Sequence, residues 1–267
     1  MSKYQSLFRV KFIGGLQYRT AAWAGIVTQF VWGFLEILLF QAFYQSDPSA
    51  FPMSLEATVS YVWLQQAFLA LYMIWFWEND IFDSIQSGNV SYELVRPISV
   101  YNMWFVRGVA TRISRTLLRC LPILIVAFCL PKPYKLIPPA SIGVLGLFMM
   151  TMVLSLLVII SLNMIVYFLS FYTLNAFGLR MIFQSIGSIL SGEILPLPFF
   201  PDGVARILAF LPFASIQNVP FRVYSGDLAG EALTQSVLLQ VFWIVILVMV
   251  GKLLERQVVK KVVIQGG

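Results

Sequence analysis

Three carboxylates lie close together in a polar stretch of an otherwise apolar chain: Glu78, Asp80 and Asp83. Carboxylates that converge can bind a divalent metal ion. Helical spacing, however, would place Asp80 and Asp83 on a common side of a helix and Glu78 elsewhere. The flanking sequence also lacks the Asp, Gly and Arg pattern of a phospholipid transferase. We therefore interpret these residues as the solvent-exposed face of a short helix and predict neither a metal site nor a catalytic residue.

Histidine is absent from all 267 residues. This excludes a histidine base, a His-ligated zinc or haem and a Ser-His-Asp triad within the chain. The phosphate-binding pattern G-x-x-x-x-G-K-[ST] is also absent, since Gly251-Lys252 lacks the preceding glycine. On a helix, Cys120 and Cys129 would be roughly 13 Å apart, too far for a disulfide. We expect no cofactor to be bound by this chain.

The composition indicates a membrane protein. Hydrophobic residues make up 59% of the chain and charged residues 11%, whereas soluble domains have about 45–50% and about 25%. The 41 aromatic residues (23 Phe, 11 Tyr, 7 Trp) also exclude a disordered polymer. The net charge of +6 is more typical of cytoplasmic loops than of nucleic-acid binding, so we expect a lipid bilayer and no nucleic acid as partner.

Six stretches are apolar enough to cross a bilayer, which requires about 20 residues. They lie at residues 21–43, 57–77, 112–130, 141–170, 175–195 and 232–252. The fourth and fifth are separated at 171–174 because Asn175 can cap a helix and Arg180 prefers an interface. The third begins among arginines whose stems can extend to the membrane surface. The whole chain, 1–267, is read as a single transmembrane domain.

The distribution of basic residues predicts the topology, because cytoplasmic loops collect Lys and Arg. Four of the 18 basic residues fall on one side of the predicted membrane: Lys132, Lys135, Arg206 and Arg222. The other fourteen fall on the opposite side. This bias predicts a multi-pass protein of the inner or plasma membrane with both termini in the cytoplasm. Phe8, Phe12 and Leu16 recur at helical spacing, so residues 1–20 predict an interfacial helix.

The polar loop at 78–99 contains a short amphipathic helix with Ile81, Phe82 and Ile85 on one side. Gly88 is a suitable C-terminal stop for that helix. The loop can be read simply as a solvated connection. Alternatively, a compact apolar helix with acidic flanks, including Asp80, can dock onto a partner subunit.

A second irregular region lies near the predicted outer surface. Its Gly and Pro residues break helices, and a membrane tolerates irregular backbone only where protein or a cavity shields it. The region is either an extracellular turn or a re-entrant segment, predicted at 196–213, that closes the outer end of a path. The residues concerned are Gly192, Glu193, Pro196, Pro198, Phe200 and Pro201.

Glu36 lies near the middle of the first predicted span, where an ionisable group is costly unless it faces a cavity or a partner. Bonding to Gln65 or Gln66 on the second span would account for it structurally. A role at a substrate cavity or a dimer interface is the alternative.

Two motif regions resemble the permease subunits of ABC-2 type exporters. The first is the loop at 78–97 with its L-x-R-P ending at Leu94, Arg96 and Pro97. The second is SGxxxPLxFFP at Ser191 to Pro201, followed by Leu211-Pro212 and Tyr224-Ser225-Gly226. The resemblance implies an all-α integral membrane fold of the ABC-2, or type V exporter, kind. Its parts would be six transmembrane helices, an N-terminal interfacial helix, a cytoplasmic coupling helix and an outer re-entrant segment.

The resemblance also implies partners. The chain would form a dimer with a second permease, a heterodimer being favoured and a homodimer remaining open. Two cytoplasmic ABC subunits would bind ATP and Mg. Asp80 to Gly88 would couple the two kinds of subunit, and the cargo would be amphipathic, drug-like or lipid-like. A stand-alone channel or ion-coupled carrier is the alternative, although it would predict paired broken helices and only one broken region is present. A membrane enzyme is disfavoured by the missing histidine.

Overall fold

The computed structural model describes residues 3–47, 51–173 and 175–261, and every regular element in these ranges is helical. The helices are α1 (Lys3–Gly15), α2 (Arg19–Ser46), α3 (Leu55–Tyr72), α4 (Asn79–Gln86), α5 (Ser91–Leu94), α6 (Val100–Cys129), α7 (Ile142–Leu169), α8 (Ala176–Leu190), α9 (Asp202–Ala209), α10 (Asn218–Tyr224) and α11 (Gly230–Lys261). Short 3-10 turns lie at Ser170–Tyr172, Leu197–Phe199 and Pro212–Ser215.

Three helical stretches in the described ranges are long and apolar enough to cross a membrane: Ala22–Ser46, Ile142–Tyr172 and Gly230–Lys260. They coincide with the first, fourth and sixth predicted spans. A shorter apolar helix, Ala176–Leu190, lies within the fifth. The crossings predicted at 57–77, 112–130 and 175–195 stay predictions.

The second predicted span is helical over a shorter length than expected. α3 ends at Tyr72 rather than Trp77, and Arg112 supplies donors to the carbonyls released at its end. The Arg112 Nη1 atom donates to Leu71 O at 2.9 Å and to Met73 O at 3.1 Å, and its side chain is buried. Carbonyls at a helix C-terminus need such partners when water cannot reach them.

Helix α6 begins well before the predicted span at 112–130. Ser99 caps it, its side chain accepting a hydrogen bond from Asn102 N at 3.2 Å. Glu255 of α11 adds a second cap by accepting from Ser99 Oγ and from Tyr101 N. The polar start of α6 is therefore ordered by a distant carboxylate that local sequence patterns do not reveal.

The N-terminal helix is also shorter than predicted. α1 covers Lys3–Gly15 of the predicted 1–20, and α2 begins at Arg19. Met1 and Ser2 lie outside the described residues. α1 packs against α6, where Gly15 approaches Ser114 so closely that a Cβ would overlap the serine hydroxyl.

The core is centred on α3, which is almost fully buried between α2, α6, α7 and α10. Tyr61 and Tyr72 of α3 both meet the ring of Phe221 edge-on, at 5.3 and 5.7 Å. α11 packs along α7, where Gln240 donates to Ser155 Oγ at 2.9 Å. Through Phe221, the irregular region 191–228 packs against α3, the helix that carries Gln65 and Gln66.

Candidate functional site

Helix α4 is an amphipathic helix whose apolar side faces the rest of the chain. Ile81 and Phe82 are 1% and 3% exposed. The Phe82 ring lies 5.0 Å from that of Tyr167 and 5.8 Å from that of Trp77. Burying these side chains in an aromatic cluster anchors α4 to the ends of α3 and α7.

The outer side of α4 is polar. Asp80, Asp83, Gln86 and Gly88 are exposed, and Ile85 is partly buried against the core. Gly88 has φ +76°, the left-handed conformation that ends the helix. Ile81 and Phe82 are both buried within the chain, and their role in docking stays a prediction.

An ion-pair cluster holds the first turn of α4. The Arg107 Nη2 atom lies 2.6 Å from Asp80 Oδ2 and 2.9 Å from Glu78 Oε2. The Glu78 and Arg107 side chains are 12% and 11% exposed, whereas that of Asp80 is 76% exposed. Two of the three carboxylates considered for metal binding are thus paired with one arginine of α6.

The same cluster stabilises the charged form of Arg107. Arg107 precedes the predicted span at 112–130. Burial alone would lower the pKa of its guanidinium, but Glu78 and Asp80 outweigh burial and raise that pKa above its usual value.

Arg180 connects α4 to α8. Its Nη1 atom donates to Asn79 Oδ1 at 2.9 Å, and its guanidinium carbon lies 4.9 Å from the centre of the Phe82 ring. From the sequence, Arg180 is expected only to lie at a membrane interface. Its contact with α4 spans 101 residues of sequence, so no local pattern could have indicated it.

The second half of the 78–99 loop is held by one further carboxylate. Glu93 Oε2 accepts a hydrogen bond from Trp104 Nε1 at 2.7 Å. Leu94 packs on the core, whereas Tyr92, Val95 and Arg96 are exposed. The loop therefore presents an exposed surface on an anchored base.

The predicted outer segment begins with a sharp turn against α3. Gly192 has φ +82°, and its carbonyl accepts a hydrogen bond from Tyr61 Oη at 3.1 Å. Gln65 Nε2 donates to Glu193 O at 2.5 Å, and Ser188 Oγ donates to Glu193 Oε2 at 2.8 Å. These bonds end α8 at Leu190 rather than at 195.

The rest of the segment predicted at 196–213 is short broken helix. Pro196 is buried and precedes a 3-10 turn, while Pro201 immediately precedes α9. Asn218 Oδ1 accepts a hydrogen bond from Leu197 N at 3.4 Å. Phe200 packs with Leu197 and Leu208. The segment forms a small apolar cluster of its own, consistent with either alternative, an outer turn or a re-entrant segment.

A cavity of about 720 Å³ opens between α2, α3 and residues 193–195. Glu36 of the first predicted span and Gln65 and Gln66 of the second all line this cavity. Gln66 Nε2 lies 3.4 Å from Glu36 Oε2. Glu193, from the outer segment, lines the same cavity. The structure thus joins two sets of candidate residues that the sequence analysis treated separately.

Three polar lining residues had not been singled out for this cavity: Thr28, Gln29 and Arg119. Gln29 is 3% exposed, and neither of its amide atoms has a hydrogen-bond partner among the described residues. Its spacing of seven residues from Glu36 places both on one side of α2. That spacing was the signal in the sequence that could have identified it.

The all-helical fold and its long apolar helices define a multi-pass membrane protein. The sequence profile of the ABC-2 family of transporter proteins matches residues 30–266. The chain belongs to this family, which confirms the resemblance noted in its motifs. The family supplies the membrane component of ABC transporters and partners with an ATP-binding subunit. No curated protein sequence matches the chain.

Proposed function

We propose that this chain is the permease subunit of an ATP-driven exporter, with six membrane spans and both termini in the cytoplasm. Two permease subunits form the translocation path, and two cytoplasmic subunits bind ATP and Mg. The observation that carries the proposal is the anchored position of α4. Its apolar side is buried in its own chain and its polar side is free for a partner.

The contacts of α4 provide a route for mechanical coupling. Arg107 links it to α6, Arg180 links it to α8, and Phe82 packs against Tyr167 of α7. A force on the exposed face would therefore reach several helices together, because packed interfaces shift as units. ATP-driven closure of the partner subunits would move α4 and tilt the attached helices.

The outer segment and the cavity suit the two ends of a transport path. Tyr61 and Gln65 bind the backbone at Gly192 and Glu193, so movement of α3 would be transmitted to this segment. In the proposal, the segment closes the outer end of the path. The cavity beside it has mainly apolar walls with a few polar groups, which suits an amphipathic cargo.

The second permease is proposed to be a different chain, since short single-domain permeases of this type often act as pairs. A second copy of this chain is the other arrangement. Both would place the exposed apolar residues of α2 and α8 against lipid or against the second permease. Among these exposed residues are Val27, Val31, Phe177 and Ile182.

The proposal is tested by purifying the chain from its native membrane in mild detergent and assaying the product for ATP hydrolysis. Recovery of a soluble ATPase is the expected result. The presence or absence of a second permease in the complex distinguishes a heterodimer from a homodimer. Purification of the chain alone, with transport activity in liposomes and no ATPase, would support the channel or carrier instead.

A further inference from the structure

We propose that the cavity between α2 and α3 binds cationic amphiphiles through Glu36 and Glu193. This inference rests on the proposed transport function and specifies the class of cargo. At about 720 Å³, the cavity is within the range of roughly 300–1,000 Å³ typical of small-molecule sites.

The polar part of the cavity has more acceptor capacity than the protein uses. Gln66 and Ser188 each donate to one of the two carboxylates, but an ionised carboxylate has about four acceptor positions. Gln65 Oε1 is buried without a partner among the described residues. A ligand that brings N–H donors would satisfy these atoms, whereas an anionic ligand would add more acceptors.

Gln29 is the independent indication of a ligand. Both atoms of its amide are buried without a partner among the described residues, although the side chain lines the cavity. A buried amide that lacks hydrogen-bond partners destabilises the protein. A polar group of the ligand would relieve that destabilisation.

The charge of the site favours a cation. Glu36 and Glu193 line the same cavity, and a bound cation would be stabilised by two carboxylates that share one site. The cavity also contains Arg119, whose guanidinium lies against Gly25. Because Gly25 and Glu36 are separated by about 16 Å along α2, Arg119 lies at the other end and leaves the carboxylates free for the ligand.

The walls suit the apolar body of such a ligand. The cavity is lined by Leu35, Leu39, Phe40, Leu69 and Trp75. An aromatic face attracts a desolvated cation. The geometry therefore fits a molecule with an amine or guanidine group joined to an aromatic or aliphatic body.

Binding of two xanthene dyes of similar size tests this inference. Rhodamine 6G is cationic with N–H donors, and fluorescein is anionic. Each is titrated by fluorescence anisotropy into the full chain, purified with its ATPase and reconstituted in nanodiscs. We expect the wild type to prefer rhodamine 6G, and Glu36→Gln with Glu193→Gln to weaken its binding by roughly tenfold or more. Glu231→Gln, exposed at the start of α11, is the matched control and should bind like the wild type.

Equal binding of rhodamine 6G to the wild type and the double variant would overturn the inference, as would equal affinity for fluorescein. If the double variant fails to fold, Gln29→Leu is used instead, because this substitution removes only an unpaired amide. Gln29→Leu should weaken the binding of rhodamine 6G. Unchanged binding would count against the site. Recovery of the ATPase is measured on the same samples. A complex that retains its ATPase but shows no carboxylate-dependent binding refutes the cargo class alone, whereas loss of the ATPase from the wild type refutes the proposed function.

Discussion

Arg107 of α6 contacts both Glu78 and Asp80, with its Nη2 atom 2.9 Å from Glu78 Oε2 and 2.6 Å from Asp80 Oδ2. One guanidinium thus fixes the residues that begin α4. The two partners differ in exposure, because the Glu78 side chain is nearly buried and that of Asp80 is mostly in solvent. This difference makes their contributions separable by mutation.

The first prediction concerns the stability of this cluster. Arg107→Leu should destabilise the chain by about 3 kcal/mol, because it leaves the nearly buried Glu78 carboxylate without its partner. Asp80→Asn removes only an exposed pair, whose contribution is typically about 0–1 kcal/mol. Thermal unfolding in the same detergent compares the two variants. Equal shifts in melting temperature would contradict the assignment of Glu78 as the main partner.

The two faces of α4 should respond differently to substitution. Phe82→Ala should destabilise the chain by about 3–5 kcal/mol, since it empties a buried aromatic site. Asp83→Arg should leave the melting temperature unchanged and reduce co-purification of the ATPase. Both are measured on the purified complex. If Asp83→Arg kept full ATPase binding, the polar face would not be the docking surface.

Arg180 should affect coupling more than assembly. Arg180→Gln removes the hydrogen bond to Asn79 and the contact with the Phe82 ring, a contact of a kind worth about 0.5–2 kcal/mol. We expect ATP hydrolysis to persist while transport per ATP falls. Arg256→Gln, an exposed residue near the end of α11, is the control. Unchanged transport in Arg180→Gln would mean that α8 does not receive motion from α4.

The turn at Gly192 supplies a prediction with a matched control. Gly192→Ala should be destabilising, because φ is +82° and a Cβ would lie 2.8 Å from Tyr61 Oη. Gly203→Ala should be neutral or stabilising by up to about 1 kcal/mol, because Gly203 lies in α9 with nothing near its Cβ position. Comparable melting temperatures for the two variants would show that the turn is not constrained.

The sequence predicted the apolar helices well where hydropathy alone determines them. α7 at Ile142–Leu169 lies within one residue of the predicted 141–170. The observed helix ends differ from the predicted span ends where polar side chains bind the backbone. Arg112 ends α3 by binding its carbonyls, and Glu255 caps the start of α6. Both interactions join residues far apart in the sequence, so the hydrophobic periodicity of either helix cannot predict them.

The candidate residues show the same pattern. Glu36 is hydrogen-bonded to Gln66, as expected because an ionisable residue inside a span needs a polar neighbour. The role of Glu36, Gln65 and Gln66 at a cavity or a dimer interface stays a prediction. The orientation of α4 was not predictable, since an amphipathic helix can turn its apolar side to its own chain or to a partner. In the structure, the apolar side of α4 faces its own chain, where Phe82 packs against the rings of Trp77 and Tyr167. Their convergence on Phe82 depends on how α3 and α7 pack.

Photo-crosslinking from α4 tests the central claim most directly. A benzophenone amino acid placed at Gln86, on the exposed face, should crosslink to the ATPase subunit in the assembled complex, and the yield should change when ATP is added. The same group at Val245, exposed on α11, should give no ATPase crosslink. Crosslinking from Gln86 to lipid or to the permease alone, in a complex that contains active ATPase, would contradict the assignment of α4 as the coupling element.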